Sequence, residues 1–139
     1  MWAARKALSP AQRTISPNKI NEDVVVPVSR LPELVDGIKQ LSAKHDLLIV
    51  TFGHAGNGNL HVNLLPRDDA ERERAHACLA DVFALVIRLE GTLSGEHGIG
   101  MVKREFMPLA LAPSTLDLMR NIKHAFDPDG ILNPGKLLP

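Results

Sequence analysis

Two short runs of apolar and β-branched residues, Leu47–Phe52 and Leu60–Leu65, are separated by Gly53-His54-Ala55-Gly56-Asn57-Gly58-Asn59. An Asn-Gly pair accepts the positive φ angles of a tight reversal, so the two runs are expected to pair as an antiparallel hairpin. Side chains alternate along a strand, which puts His61, Asn63 and Leu65 on one face and Val62 and Leu64 on the other. The hairpin also brings His54 toward His61. His61 and Asn63 then point together into whatever lies over their face.

A second polar stretch, Ser94-Gly95-Glu96-His97-Gly98-Ile99-Gly100, surrounds one carboxylate and one imidazole with small residues, leaving the backbone room to approach a ligand. If the two stretches meet, two imidazoles and a carboxylate make a donor set for a catalytic divalent metal, with one position open to water or substrate. Adjacent residues of an extended segment face opposite ways, so Glu96 is assigned to the metal and His97 is left as an acid or base. The plain alternative stays open: an Asn-Gly hairpin needs no function, and two histidines on one hairpin are no metal signature by themselves. Neither glycine cluster reads as a dinucleotide loop, because the glycine order is reversed from G-x-G-x-x-G and the first is followed by a strand.

The chain of 139 residues is one domain's worth, with a formal charge of zero. That balance offers no basic field for nucleic acid or an acidic bilayer. No apolar run is long enough for a membrane span, and the start does not resemble a signal peptide. The lone Cys78 excludes an intramolecular disulfide and fits a reducing compartment, the cytoplasm.

The remaining segments are read from their punctuation. Met1–Leu8 has helix formers without a start signal, and Ser9–Asn21, with Pro10 and Pro17, reads as a connector. Asp23–Val28 is a strand edged by Pro27. A helix runs from Leu31 to about His45, with Leu34, Ile38 and Leu41 inward. Asp68 caps a long helix reaching Glu90, closed by Gly91, whose core face is Leu79, Val82, Phe83, Val86 and Leu89; Glu71 to Arg74 form its solvated first turn. His76 and Cys78 ride on that helix, and His45 and His124 sit near helix ends, where a structural role suffices. Lys103–Phe106 is expected as a helical turn. Ser114–Asp117 reads as a capping box for a final helix, with Leu118, Ile122 and Ala125 inward and its end at Asp127-Pro128. This order predicts an α+β fold, a mostly antiparallel sheet with helices on one face. One hairpin and one strand make a small sheet, so further strands are expected from a preceding part or a second copy.

Three motifs in sequence, Gly53-His54-x-Gly-x-Gly-Asn59-Leu60-His61, Gly95-Glu96-His97-Gly98-Ile99-Gly100 and Phe126-Asp127-Pro128-x-Gly130-Ile131-Leu132-Asn133-Pro134-Gly135-Lys136, closely resemble the C-terminal part of FAD-linked oxidases of the vanillyl-alcohol-oxidase type. The nearest members are D-2-hydroxyacid dehydrogenases: glycolate oxidase FAD subunit, D-lactate dehydrogenase and D-2-hydroxyglutarate dehydrogenase. The resemblance implies a ferredoxin-like cap or substrate domain over residues 1–125 and a tail, 126–139, that returns to an FAD-binding domain. It implies Zn²⁺ or a similar divalent ion on His54, His61 and Glu96, substrate contacts from Arg5 and Asn63, proton removal by His97, and help from Asn133 and Lys136 in closing the flavin site. The chain is then read as the C-terminal portion of an enzyme oxidising a small D-2-hydroxyacid to a 2-oxoacid with FAD, inactive without the flavin domain. Two positions depart from the family: Asn57 stands where Asp is usual, and Asn21 stands where dicarboxylate-specific relatives carry Lys, with Lys19 further back. The alternative is a non-catalytic module that self-associates or docks on a partner through its sheet edge.

Overall fold

The computed structural model describes residues 2–139, the side chains of Ala4 and Arg5 excepted. In it the Asn57-Gly58 reversal joins β2 (Ile49–His54) to β3 (Asn59–Leu64) as an antiparallel hairpin, with His54 opposite Asn59 and Phe52 opposite His61. Gly58 takes φ +75°, and a Cβ there would lie 2.0 Å from the Val26 carbonyl oxygen, so glycine is required on both counts. β1 (Ile20–Val25) pairs antiparallel with the other side of β3, giving the order β1-β3-β2.

β1 reaches β2 through α2 (Leu31–His45), skipping over β3, and α3 (Asp69–Arg88) follows the hairpin. This split βαβ arrangement is the start of a ferredoxin-like sheet. Val24, Leu60, Val62 and Leu64 point from one sheet face into a core shared with Leu34 and Ile38 of α2 and Leu79, Val82, Phe83 and Val86 of α3. The alternation of β3 does what its sequence requires: Val62 and Leu64 are fully buried under helices, while His61 and Asn63 face the other way. The α+β class, the antiparallel sheet and the helices on one face are as expected from the sequence.

Four local expectations are corrected. The first helix, α1, spans Trp2–Ile15 and runs straight through Pro10, where a connector is expected. An interior proline costs one backbone hydrogen bond and some strain; here the last turn is anchored by buried Gln12, and just beyond it Ser16 Oγ donates to the Pro66 carbonyl at 2.6 Å. β1 begins at Ile20 and ends before Pro27, so the strand lies earlier than its valine run suggests. Glu71 is buried in place of being solvated: Asp68 caps the Glu71 amide at 2.7 Å, as the sequence signals, while the Glu71 carboxylate turns back onto the Arg67 guanidinium.

The fourth correction concerns the last helix; the helical turn expected near Lys103–Phe106 is present. Gly100–Lys103 and Met107–Ala110 form two short helical turns, α4 and α5, joined by a 3₁₀ turn at Arg104–Phe106. The last helix, α6 (Pro113–Phe126), has no side-chain cap, and Asp117 pairs with Arg120 Nη1 at 2.9 Å. Only Leu116 of α6 is buried; Leu118 and Ile122, expected inside, are 58% and 51% exposed, and Phe126 is 83% exposed. The apolar periodicity is real, but it faces away from this core. At the end of α6, buried Asp127 accepts from the Ile131 and Leu132 amides, both at 3.0 Å, and from Lys123, which shapes the tail. No helix among the described residues is long and apolar enough to cross a membrane.

Candidate metal and substrate site

The sheet face opposite the core carries Val50, Phe52 and His54 from β2, Asn59, His61 and Asn63 from β3, and Asn21, Asp23 and Val25 from β1. His54 and His61 are diagonal neighbours across the hairpin, their ring centroids 5.9 Å apart and their planes nearly perpendicular. The segment after α3 comes back over this face. Thr92 exchanges two backbone hydrogen bonds with Val25 at the outer edge of β1 (2.8 and 3.2 Å), which brings residues 94–97 above the histidines.

Glu96 then stands between the two imidazoles. Its Oε1 is 3.6 Å from His54 Nε2 and its Oε2 is 3.8 Å from His61 Nε2. One ligand atom from each of the three residues lies within 4.8 Å of the other two. His97 stacks on His61 with centroids 5.5 Å apart and planes 25° from parallel. Gly95 permits this approach: a Cβ at that position would sit 2.1 Å from Asn59 Nδ2. Burial pushes His61 below the ordinary imidazole range, with the Glu96 charge opposing, which favours the neutral form that can ligate a metal. His61 Nδ1 and both carboxamide atoms of Asn59 are buried without partners.

The other expected site residues are more dispersed. Asn63 is fully buried; its Nδ2 donates to the Val50 carbonyl at 3.2 Å, and its Oδ1 accepts from Lys19 Nζ at 3.2 Å. Lys19 therefore already engages that oxygen. Lys19 Nζ also donates to Ser9 Oγ and Gln12 Oε1, both at 2.9 Å, and partial burial followed by the Arg13 charge lowers its basicity. Arg5 belongs to α1, but its side chain lies outside the described residues. Asn133 and Lys136 line a hollow of about 340 Å³ with Lys123, Leu132 and Leu137, none of which belongs to the histidine cluster.

Sequence reasoning missed Asp23 and Lys103 as parts of the site. Asp23 is completely buried beneath the 94–97 segment and accepts from the Gly95 amide at 2.7 Å, the His97 amide at 3.1 Å, the Glu96 amide, Ser94 Oγ at 3.1 Å and Lys103 Nζ at 2.8 Å. Burial pushes this carboxyl upward, but the Lys103 and backbone hydrogen bonds outweigh it and hold Asp23 well below the usual carboxylate range. Lys103, also buried, ties the Asp23 and Leu93 carbonyls and lies 3.2 Å from Glu22. The available signal was an acidic pair opening a valine run, since charges in a buried strand need a partner.

Comparison with known proteins agrees with the motifs. Residues 1–137 match the family described as FAD linked oxidases, C-terminal domain, and the chain belongs to that family. Over 97% of its length it is 43% identical to glycolate oxidase subunit GlcD of Bacillus subtilis (strain 168). It is 38% identical to the D-lactate dehydrogenase of Anaerostipes hadrus over 98% of its length, and 35% identical to the D-2-hydroxyglutarate dehydrogenase of Stutzerimonas stutzeri (strain A1501) over 99%. The aligned region covers 29%, 29% and 30% of those three proteins respectively, so the chain spans under a third of each.

Proposed function

We propose that this chain supplies the metal and proton-transfer half of an FAD-dependent enzyme that oxidises a small D-2-hydroxyacid to the 2-oxoacid, the flavin half coming from the same polypeptide or a partner. One observation carries the reading: a single carboxylate, Glu96, spans two imidazole Nε2 atoms at 3.6 and 3.8 Å, with a third imidazole, His97, stacked alongside. The donor set fits a divalent ion such as Zn²⁺, because two nitrogens and one oxygen leave a fourth position open. His54, His61 and Glu96 would hold it.

When bound, such an ion would polarise the substrate hydroxyl, and FAD would supply the hydride acceptor for Cα. The chain's own residues do the rest. His97 takes the hydroxyl proton on its outward ring nitrogen. Arg5, whose planar fork suits a carboxylate, is assigned the substrate carboxylate, and Asn63 with Lys19 borders the same face. The exposed apolar face of α6 and the tail carrying Asn133 and Lys136 are assigned to contact with the flavin half, since an uncovered stripe of this kind marks an interaction surface. The cytoplasm is the proposed location, on the strength of one buried, free thiol, Cys78.

Metal analysis of the purified chain, alongside His54→Ala and His61→Ala, tests the first half; an equally metal-free wild type overturns it. Dye reduction with glycolate, D-lactate or D-2-hydroxyglutarate, in the presence of the flavin half, tests the second. A second reading rests on β2, which among the described residues pairs only with β3 and leaves its other edge open. An oligomer that binds no metal would favour a self-associating module.

A further inference from the structure

We propose that Asp23 is the positioning residue of this site: anchored by Lys103, it shapes residues 94–97 through their backbone amides and sets the ring orientation of His97. The inference rests on the reading of Glu96 as ligand and His97 as base. It concerns what places them.

Residues 94–97 belong to no helix or strand, and Gly95, Glu96 and His97 are exposed. Loop amides in such a place ordinarily bond to water. Here three consecutive amides, of Gly95, Glu96 and His97, converge on one oxygen, Asp23 Oδ2. Successive amides wrapped around one anionic group form a concave nest, which holds the backbone in a single shape. The other oxygen, Oδ1, takes Ser94 Oγ and Lys103 Nζ. Lys103 in turn donates to the Leu93 carbonyl at 2.7 Å and to the Asp23 carbonyl at 2.9 Å, so the segment is tied to β1 at both its start and its turn.

The same carboxylate reaches the base. His97 Nδ1 lies 3.5 Å from Asp23 Oδ1. A buried carboxylate beside Nδ1 favours the tautomer that carries its proton there, which leaves the Nε2 lone pair free for the reacting side. Asp23 is also opposite His61 in the β1–β3 register, so the strand that aims one metal-ligating imidazole is paired, at that residue, with the group that aims the other two side chains. Asp23 is not among the three residues whose ligand atoms converge, His54, His61 and Glu96. Its action passes through Glu96 and His97.

The full 139-residue chain tests this without turnover. In the wild type, free of metal, hydrogen exchange by NMR is expected to show slow exchange of the Gly95, Glu96 and His97 amides despite their exposed loop, and ¹⁵N ring shifts are expected to show His97 as the Nδ1–H tautomer. Fast exchange of all three amides, or a His97 ring mainly in the Nε2–H form, overturns the proposal and needs no variant to fold. In Asp23→Asn, judged folded by its hairpin resonances, amide protection at 95–97 is expected to vanish. The affinity for Co²⁺, followed by its visible spectrum, is expected to fall about 10- to 100-fold, the range for groups that support ligands without being ligands. A folded Asp23→Asn with unchanged loop protection, tautomer and Co²⁺ affinity overturns it. If the wild type binds no Co²⁺ yet shows the protected amides and fixed tautomer, the metal assignment fails and the positioning role of Asp23 stands.

Discussion

Glu96 Oε2 stands 3.8 Å from His61 Nε2. That is too long for a hydrogen bond, yet close to the separation of about 3.4 Å that two ligands of one tetrahedral zinc ion adopt at ordinary bond lengths. The matching distance on the His54 side is 3.6 Å. A carboxylate placed to neutralise a single histidine would close on it; this one stands back from two.

Zinc or cobalt titration should therefore give one ion per chain. Glu96→Gln and His61→Ala are each expected to weaken binding by more than about 100-fold, beyond the loss typical of residues that only support ligands. Isothermal calorimetry at fixed pH measures it. Affinities within threefold of the wild type, about 0.7 kcal/mol, would remove the site.

Gly95→Ala tests the contact between the two polar stretches. The added Cβ would meet Asn59 Nδ2 at 2.1 Å and Val25 Cγ2 at 2.6 Å, a conflict expected to cost about 1–3 kcal/mol in overpacking. Urea unfolding should show the loss, and metal affinity should drop with it because Glu96 moves along with Gly95.

Phe83→Ala probes the core beneath the site. Phe83 is fully buried, and its ring lies 4.8 Å, centroid to centroid, from Phe106 in the segment that also carries Lys103. A loss of about 3–5 kcal/mol is expected, read from the denaturation midpoint at unchanged slope.

Acid sensitivity should trace in part to Glu71. The Arg67 hydrogen bond, chiefly, lowers its pKa below the ordinary carboxyl value. A carboxyl depressed in the folded state adds stability above its unfolded value, about pH 4.3, and that stability is lost as pH falls through the folded value. Glu71→Gln should be less stable than the wild type near neutrality and should lose less on going to about pH 3. Parallel pH profiles for the two proteins would contradict the assignment.

The α6 face should be silent in the chain alone. Leu118→Ser and Ile122→Ser change exposed positions and are expected to shift stability by no more than about 0.5 kcal/mol. The same variants should weaken co-purification with a co-expressed flavin half. A large loss of stability without that half would show that the stripe packs on this chain after all.

Local rules reached much of the fold. Asn57-Gly58 and the alternation of β3 were enough to separate Val62 and Leu64 from His61 and Asn63, and Leu31–His45 and the Asp68 cap located two helices. They failed where local and tertiary forces disagree. Pro10 reads as a break, yet α1 continues because its far end is anchored at Gln12 and Ser16. Leu118 and Ile122 have the right period for a buried stripe, but periodicity states only that a face is apolar and not what covers it.

By itself the sequence determined the hairpin, the faces of its strands, and the residue types that can ligate a metal and move a proton, because turn chemistry and side-chain alternation act within a few residues. Only the tertiary structure decided that Glu96 stands between His54 and His61, and that Asp23, some seventy positions earlier in the chain, holds it there. That meeting depends on a buried ion pair with Lys103 and on the edge pairing of Val25 with Thr92. Such contacts join distant segments whose spacing along the chain says nothing of their distance in space.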